Sequence, residues 1–179
     1  MLRKYRTKAE KNELRRKLKL IVDSRERKND HIIAYLDRKK IPYEVRKLEV
    51  GDYSLMLGDL TLEDQVVVER KHGLEEVCVN IGKDRVRFEN EMLFAKAFGI
   101  RVFLVIEGAG WGDIWRGTYR SVADIPPEAV FDALIGWMVF YPVTILFCEE
   151  QDTAGHILRL LYFSALEELD GKRRGPIPL

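Results

Sequence analysis

Two side chains of opposite charge lie two positions apart at the end of an apolar, strand-like run. That run, Val66–Val68, continues into Glu69, Arg70 and Lys71. Because successive side chains of a β-strand alternate between its two faces, Glu69 and Lys71 should face the same way. An unbroken run of valines is typical of a strand buried on both faces, where charged groups need partners. We therefore interpret the pair as functional, rather than as the charged outer face of an edge strand.

Two further carboxylates fall at the ends of other strand-like runs. Asp52 follows Gly51 at the beginning of the preceding run, and Asp23 ends an earlier one. Carboxylates that converge on one point repel one another unless a cation lies between them, and oxygen ligands suit Mg²⁺ or Mn²⁺. A bound metal beside a lysine that positions or polarises water is an arrangement suited to phosphodiester hydrolysis. The pattern predicts a nuclease with Mg²⁺ or Mn²⁺ as its cofactor.

Two other charged clusters have a structural explanation beside the functional one. The segment Asp23–Glu26 places two carboxylates around an arginine, which suits either a metal site or a capping and salt-bridge cluster. Glu75 and Glu76 begin a predicted helix, where the helix macrodipole favours acidic side chains. One of these two glutamates could also complete the metal site, so both explanations stay open.

Basic residues that could contact DNA occur in two places. Arg85 and Arg87 open a predicted helix, and guanidinium groups match phosphate oxygens, although a solvated helix face explains them nearly as well. The first nineteen residues contain only two acidic residues among many basic ones, which suits a polyanionic partner as well as it suits a frayed, solvated leader. The basic residues there are Arg3, Lys4, Arg6, Lys8, Lys11, Arg15, Arg16, Lys17 and Lys19.

The composition is that of one globular domain. The chain has 179 residues, 46% of them hydrophobic, and a net charge of +1. Cys78 and Cys148 lie in apolar runs without metal-binding spacing, which predicts free thiols in a reducing compartment. No apolar run reaches membrane-spanning length and no signal-peptide core is recognisable. We therefore expect a soluble intracellular protein with no membrane partner, in the cytoplasm (associated with the nucleoid) or in the nucleus.

Strands and helices alternate along the chain, which predicts an α/β fold with a central mixed β-sheet flanked by helices. A turn at Gly58-Asp59 should join two of the strands, 53–57 and 65–70, as a hairpin, and the loop 108–112 should be a flexible exit from a strand. The other predicted strands are 18–22, 43–50, 100–106 and 143–147, and the predicted helices begin near residues 30, 73, 84, 127 and 153. We divide the chain into a basic N-terminal extension (1–19), a nuclease domain (20–169) and a flexible C-terminal tail (170–179).

Three motifs in order resemble the XPF/Hef-type structure-specific endonucleases, whose nuclease domain is often called the ERCC4 domain. The family pattern is Asp-x-Arg-Glu after the first strand, then Gly-Asp, then Glu-Arg-Lys followed after three residues by an Asp. In this sequence the motifs are Asp23–Glu26, Gly51–Asp52 and Glu69–Lys71. Gly-Asp alone is a weak signal, whereas the three motifs together are specific. The resemblance extends over about residues 20–168.

The resemblance implies a restriction-endonuclease-like core and divalent-metal-dependent cleavage of DNA near branch points, flaps or forks, as in DNA repair and recombination. It implies that Asp52 and Glu69 are metal ligands, with Asp23 and Glu26 supporting the metal or its water. The implied partner is branched DNA or a junction between single-stranded and double-stranded DNA.

The resemblance also implies roles for three basic residues, Lys71, Arg25 and Arg70. Lys71 would stabilise or orient the attacking water, while Arg25 and Arg70 would hold the scissile phosphate or the carboxylates. The sequence departs from the family at the last acidic position. There the family's Asp is replaced by Glu75 if the spacing is kept, or by Glu76 if the helix carries one extra residue.

Family members usually carry a tandem helix-hairpin-helix domain after the nuclease, and this sequence shows neither that domain nor a helicase. Substrate placement is therefore expected to come from the basic extension, from a separate protein, or from a homodimer or a heterodimer with a related subunit. The apolar segments 131–140 and 158–163 could form such an interface, although both could equally be core. Two alternatives stay open: a non-catalytic DNA-binding or scaffolding subunit, and a sequence-specific restriction-type nuclease.

Overall fold

A mixed β-sheet of seven strands forms the centre of the protein, and the computed structural model describes residues 7–119 and 124–174. Of Lys11 and residues 171–174 only the backbone is described. The strands are β1 (Leu18–Asp23), β2 (Tyr43–Arg46), β3 (Tyr53–Leu57), β4 (Leu60–Thr61), β5 (Val66–Lys71), β6 (Arg101–Glu107) and β7 (Val143–Cys148). The helices are α1 (Lys8–Arg16), α2 (Asp30–Lys39), α3 (Leu74–Ile81), α4 (Arg85–Phe98), α5 (Trp111–Arg116), α6 (Pro127–Phe140) and α7 (Thr153–Arg174), with a 3₁₀ turn at Glu150–Asp152.

The strand order places several strand ends at one edge of the sheet. The order is β2-β1-β3-β5-β6-β7, with β4 paired to β3. Strand β3 runs antiparallel to both β1 and β5, whereas β1 pairs with β2, β5 with β6, and β6 with β7 in parallel. Strands β1, β5 and β6 therefore end at the same edge, where β3 begins. We call this the carboxyl edge; it contains Asp23, Lys71 and Glu107.

The two faces of the sheet are covered by different helices. On one face Val68 packs in a core with Ile32 of α2 and Ile157 of α7. On the other face Val67 packs in a core with residues of α3, α4 and α6, including Phe88. Because side chains alternate along a strand, the residues that follow in β5 are delivered in turn to these two faces.

The predicted α/β class with a central mixed sheet is confirmed, but the predicted hairpin is wrong. The turn at Gly58-Asp59 joins β3 to the two-residue strand β4, and β5 pairs with β3 only where Tyr53 lies opposite Val68. A strand of two residues such as β4 shows no periodicity in the sequence. The sequence pattern therefore predicts β5, rather than β4, as the hairpin partner of β3.

Three other boundaries differ from the sequence-based predictions. Strand β2 ends at Arg46 rather than at residue 50, and α7 continues to Arg174 rather than ending at 169. The loop predicted at 108–112 becomes helix α5 from Trp111, because the Asp113 carboxylate accepts a hydrogen bond from the Gly110 N–H at 2.8 Å. Of the predicted basic extension and C-terminal tail, residues 1–6 and 175–179 lie outside the described residues.

No helix in the described part of the chain combines the length and the apolar character needed to cross a membrane.

Candidate active site

Asp52 is fixed between two strands at the carboxyl edge. Its backbone carbonyl accepts a hydrogen bond from the Asp23 N–H, and its own N–H donates to the Val68 carbonyl, both at 2.8 Å. Its carboxylate oxygen Oδ2 accepts a hydrogen bond from the Arg70 N–H at 2.7 Å. The predicted association of Asp52 with the end of β5 is therefore present in the fold.

Gly51 is required by the close packing next to Asp52. Its φ is +75°, a conformation in which an L side chain is strained. A Cβ at this position would lie 2.8 Å from the Val67 Cβ and 3.1 Å from the Val68 carbonyl oxygen. The Gly-Asp pair thus has a structural basis, because only glycine lets the chain approach β5 closely enough to present the Asp52 carboxylate there.

Glu69 and Lys71 face the same side of β5, as predicted from the alternation of side chains. The Lys71 ammonium donates a hydrogen bond to Glu69 Oε1 at 2.6 Å, and the two side chains are only 8% and 10% exposed. Lys71 Nζ also lies 5.1 Å from the centroid of the Phe88 ring of α4. Burial opposes the charged form of Lys71, but the charges of Glu69 and Asp52 outweigh burial and raise its pKa.

On this side three carboxylates lie around a single buried ammonium, while the more exposed Arg87 guanidinium pairs with Glu91 at 3.0 Å. Burial and the neighbouring Glu69 charge raise the pKa of Asp52 well above its ordinary value. Burial and the same Glu69 charge also raise the pKa of Glu91, a residue of α4. We call Asp52, Glu69, Lys71 and Glu91 the carboxylate cluster. It holds three acidic groups beside one buried ammonium, so an additional cation would relieve the repulsion among them.

The donor atoms of the carboxylate cluster suit a magnesium-like ion. Asp52 Oδ1 and Glu69 Oε2 accept no hydrogen bond from any described residue, so one oxygen of each carboxylate is available. No three acidic, histidine or cysteine side chains among the described residues are arranged to hold a metal ion. Mg²⁺ is commonly held by one or two carboxylates together with waters and substrate phosphates, and a two-carboxylate site fits that pattern.

Arg70 faces the opposite side of β5 and is enclosed by hydrogen-bond acceptors. Its side chain is 3% exposed. Nη1 donates to Glu107 Oε2 at 2.6 Å, and Nη2 donates to Glu26 Oε1 at 2.5 Å and to the Lys28 carbonyl at 2.9 Å. The buried Nε atom has no hydrogen-bond partner among the described residues. His31 Nε2 shares a further hydrogen bond with Glu107 Oε1 at 2.8 Å. We call Arg70, Glu26, Glu107 and His31 the arginine cluster.

The carboxylate of Glu107 is stabilised in its charged form. Burial opposes ionisation, but a hydrogen bond from Thr153, the Arg70 charge and hydrogen bonds from His31 and Arg70 together lower the pKa of Glu107. Its Oε2 atom also lies 3.3 Å from His72 Nδ1. Both carboxylates of the arginine cluster thus have hydrogen-bond donors among the described residues.

The Asp23 carboxylate accepts hydrogen bonds from two other residues. Its carboxylate accepts hydrogen bonds from the Arg25 N–H at 2.7 Å, from Arg25 Nε at 2.8 Å, from Arg25 Nη2 at 3.0 Å and from the Leu48 N–H at 2.6 Å. Burial is outweighed by these hydrogen bonds, which hold the pKa of Asp23 below its usual value. This geometry matches the salt-bridge cluster that the sequence offered as an alternative to a metal site. The role of Asp23 as a metal ligand stays a prediction.

The two glutamates at the start of α3 have different neighbours. Glu76 Oε2 accepts a hydrogen bond from the His72 N–H at 2.9 Å, and its charge also acts on Lys71. The charge of Glu75 acts instead on the Cys78 thiol, whose pKa burial raises to about 11. Glu76 is thus the one that the structure places next to a residue of the carboxylate cluster.

The four predicted DNA-binding arginines occupy two distant regions. Arg87 pairs with Glu91 of the carboxylate cluster at 3.0 Å and therefore borders the candidate site, whereas Arg85 pairs with Glu89, outside the cluster, at 2.9 Å. Arg15 and Arg16 lie at the end of α1, just before β1 begins and therefore at the opposite edge of the sheet.

Sequence reasoning missed three residues of these clusters: Glu91, Glu107 and His31. Glu107 follows an apolar run directly, as Glu69 follows Val66–Val68, and this repeated pattern was the available signal. Glu91 stands one position before Met92, a buried residue of α4, which marks it as flanking the buried side of that helix. His31 had no comparable signal, because its contact with Glu107 depends on how α2 packs on the sheet.

Comparison with known proteins agrees with this architecture. Among solved structures, XPF from Aeropyrum pernix is similar with a TM-score of 0.59 and 20% sequence identity, over 90% of this chain and 65% of that chain. The present chain therefore spans just under two thirds of that protein's length. A search of curated proteins found no match. A family model described as the ERCC4 domain matches residues 22–160, which confirms the resemblance stated above. The match covers well over half of the sequence, and the protein belongs to the ERCC4 domain family of nucleases.

Proposed function

We propose that the protein is a divalent-metal-dependent DNA endonuclease that cleaves branched, flap or fork DNA. The observation that carries the proposal is the carboxylate cluster, where Asp52 and Glu69 meet at the carboxyl edge with too little positive charge to compensate them. A site that is short of positive charge attracts a hard cation, and through that cation it attracts a phosphodiester. Membership of the ERCC4 domain family supports the same reaction class.

Asp52 and Glu69 would hold Mg²⁺ or Mn²⁺, and the predicted contribution of Glu75 or Glu76 would come from the start of α3. When bound, the ion would supply Lewis acidity at a phosphoryl oxygen and lower the pKa of a water molecule. Lys71 is held as a cation next to Glu69, so its ammonium group can orient water and stabilise negative charge near phosphorus.

The remaining predicted catalytic residues would position this site. Arg25 binds the Asp23 carboxylate and, through Nη2, the Leu48 carbonyl at 2.7 Å, so it holds the segment before β3 against the end of β1. Arg70 binds Glu26 and thereby fixes the loop that follows β1. We therefore propose that Asp23, Arg25, Glu26 and Arg70 act as positioning residues. A role of Arg25 in holding the scissile phosphate is also compatible with its half-exposed side chain.

DNA would approach along the start of α4, where the side chains of Arg85 and Arg87 are more than half exposed and Arg87 pairs with Glu91 of the carboxylate cluster. We also propose that the protein dimerises, because α4 and α6 expose large apolar side chains. These are Val86, Leu93, Phe94, Phe98, Ile135, Val139 and Phe140. Sedimentation velocity tests the dimer.

A DNA substrate, and a role in DNA repair or recombination, would place the protein with the nucleoid or in the nucleus.

The test is a cleavage assay on labelled single-stranded, duplex, flap, fork and four-way junction DNA, each with Mg²⁺, Mn²⁺ or EDTA. We expect cleavage at a flap or fork in either metal and none in EDTA. Glu69→Gln should lower the rate about 10²–10³-fold, the scale for losing one electrostatic stabiliser of a transition state. A rate unchanged by this substitution would exclude the proposed assignment.

The matched control is Glu167→Gln, which removes one carboxylate from an exposed ion pair with Arg101. Arg101 begins β6 and therefore lies at the edge of the sheet opposite the carboxyl edge. It should cleave at the wild-type rate. If both substitutions slow cleavage equally, the effect comes from net charge rather than from the carboxylate cluster. Cleavage of intact duplex at one defined sequence would instead indicate a restriction-type nuclease.

One contact favours a second candidate, a non-catalytic DNA-binding subunit. The Lys71 ammonium lies 2.6 Å from Glu69 Oε1, so this carboxylate already has an internal counter-ion. A scaffolding subunit of this kind would bind branched DNA in EDTA as tightly as in Mg²⁺ and would cut no substrate in either metal. The same assay with a parallel binding measurement therefore separates the two candidates.

A further inference from the structure

A groove of about 780 Å³ runs between α1, the end of α2 and the middle of α7. The charged residues that line it are all basic: Arg15, Arg16, Lys39, Lys40 and Arg159. The whole chain has 30 basic and 29 acidic residues, so a lining without any carboxylate does not follow from composition. The groove is a local concentration of positive charge on a nearly neutral protein.

These cations form no ion pairs with the described part of the protein. Among the described side chains none of the five has a carboxylate partner. Arg15 instead lies over the Tyr162 ring, 5.7 Å from its centroid, and Arg159 donates to the Gly155 carbonyl of its own helix. The macrodipole favours cations in the last turns of α1 and α2. It does not account for Arg159, which lies well inside α7. It also does not explain why the cations of three helices line the same groove.

Aromatic side chains accompany the cations. Phe163 lines the groove and is 61% exposed, and Tyr35 lines it from α2. The Phe163 ring is supported from behind by the buried Tyr162, with 5.8 Å between the ring centroids. Tyr35 is half-buried and has the Arg38 guanidinium over its ring at 5.5 Å, so Phe163 provides the exposed aromatic face. An exposed aromatic face among cations is the combination that binds single-stranded nucleic acid, since the ring stacks on a base while the cations contact phosphates.

The groove is separate from the carboxylate cluster. Leu18, which lines it, begins β1, whereas Asp23 ends β1 at the carboxyl edge. Five steps along a strand at roughly 3.3 Å each place the two sites about 17 Å apart along β1. A single nucleic-acid strand is flexible and long enough to reach both places.

We propose that this groove binds a single-stranded segment of DNA, with the five cations on its phosphates and Phe163 against one of its bases. The inference rests on the proposed function, because it assigns the groove to the single-stranded part of a flap or fork substrate. Duplex DNA is a poorer fit, since its bases are stacked inside the helix and offer the Phe163 ring no free face. Charge alone would bind both forms.

The test is fluorescence anisotropy of a labelled oligothymidylate of about 20 nucleotides with the full chain in EDTA, so that no cleavage occurs. The groove variant is R15Q/K39Q/R159Q. Each phosphate contact to a single strand contributes about 0.7 to the salt exponent, so losing three should weaken binding roughly 100-fold at about 0.1 M salt. The slope of log Kd against log salt should fall by about 2.

The matched control is K47Q/R101Q/R116Q, which removes the same total charge from exposed ion pairs outside the groove. It should bind within about twofold of the wild type. Equal weakening of both triple variants, or wild-type affinity in the groove variant, would overturn the proposal. Circular dichroism of each variant confirms that the chain is folded.

Phe163→Ala separates stacking from charge. We expect at least about fivefold weaker binding of the oligothymidylate with an unchanged salt slope, because base stacking does not release counter-ions. A duplex of the same length should bind the wild type more weakly, and Phe163→Ala should leave its affinity unchanged. If duplex binding falls equally, or if the groove variant changes the sedimentation coefficient without DNA, the groove binds duplex or a second copy of the chain and the proposal is wrong.

The two proposals fail in different ways. Absence of metal-dependent cleavage in the wild type on every substrate, with groove-dependent binding in EDTA, would remove the nuclease assignment and leave the groove as a DNA site. Wild-type affinity for the oligothymidylate in the groove variant, with cleavage that still depends on Glu69, would remove the groove and leave the nuclease.

Discussion

Adjacent residues of β5 deliver charge to opposite faces of the sheet, and the two faces compensate that charge differently. Arg70 enters the arginine cluster, where Glu26 and Glu107 accept its hydrogen bonds and His31 binds the far oxygen of Glu107. Glu69 enters the carboxylate cluster, where one ammonium stands among three acidic groups. One strand therefore supports a completed ionic network on one side and an incomplete one on the other.

The pKa directions show the same difference. In the arginine cluster burial is outweighed, and the Thr153 hydrogen bond and the Arg70 charge lower the pKa of Glu107. In the carboxylate cluster burial and the Glu69 charge act together and raise the pKa of Asp52. A buried carboxylate that stays charged is already satisfied, whereas one that resists charging lacks a cation. We therefore infer that the arginine cluster mainly stabilises the fold, whereas the carboxylate cluster is suited to bind a ligand.

The comparison predicts its largest effect for Arg70. Arg70→Gln leaves Glu26 and Glu107 without their shared cation, and breaking a buried ion pair in this way costs about 3–5 kcal/mol. We expect the free energy of unfolding, measured by urea denaturation at neutral pH, to fall by about that amount. Arg101→Gln removes an exposed ion pair with Glu167 and should cost at most about 1 kcal/mol. Similar losses in the two variants would remove the structural role of the arginine cluster.

An effect of intermediate size is expected from metal in the carboxylate cluster. An ion that binds only the folded state adds about 2.7 kcal/mol to the free energy of unfolding at a concentration near 100 times its Kd. Urea denaturation with Mg²⁺ or Mn²⁺ and with EDTA should show this gain for the wild type. Glu69→Gln should lose the gain because one of the two proposed ligands is gone.

Glu167→Gln is the matched control for the metal effect, because it removes an equal charge far from both clusters. It should keep the full gain in stability with metal. An equal gain in Glu69→Gln and in the wild type would mean that the ion binds elsewhere, and the two sides of β5 would then no longer differ in ligand binding.

Local rules were sufficient to predict the part of the carboxylate cluster that β5 and Asp52 provide, but not Glu91 of α4. The common orientation of Glu69 and Lys71 follows from the alternation of side chains, and the contact between them involves residues two positions apart. Gly51 and Asp52 were also recognised, because a motif of that kind reflects a local backbone requirement. The fold class followed from alternating strands and helices in the same way.

Long-range packing decides what the sequence left open. Arg70 was assigned to the site, but its partner Glu107 is 37 positions away and is reached only because β6 lies beside β5. The alternation of side chains gives the face of a residue but not what covers that face. Asp23 is a suitable metal ligand by type, yet the backbone of Leu48, 25 positions later, uses one of its oxygens.

The smallest effect concerns the pH dependence of the arginine cluster. The pKa of Glu107 is lowered in the folded state, so the stability it contributes is fully present above its ordinary value near 4.5 and is lost as the pH falls through the lowered value. Glu107→Gln should cost about 2 kcal/mol at pH 6 to 7, the scale for hydrogen bonds to a charged group. The gap between wild type and variant should narrow as the pH falls below about 4.5.

Urea denaturation of the wild type, Glu107→Gln and Glu167→Gln across this range measures that gap. The groups that face Glu107 are present in all three proteins and largely cancel in the comparison: Arg70, His31, His72, Cys148 and Thr153. The gap for Glu167→Gln should stay small, because that residue lies in an exposed ion pair. A gap for Glu107→Gln that widens toward acid pH would mean that the folded state favours the protonated acid. The arginine cluster would then lack positive charge as the carboxylate cluster does, and the contrast between the two sides of β5 would not hold.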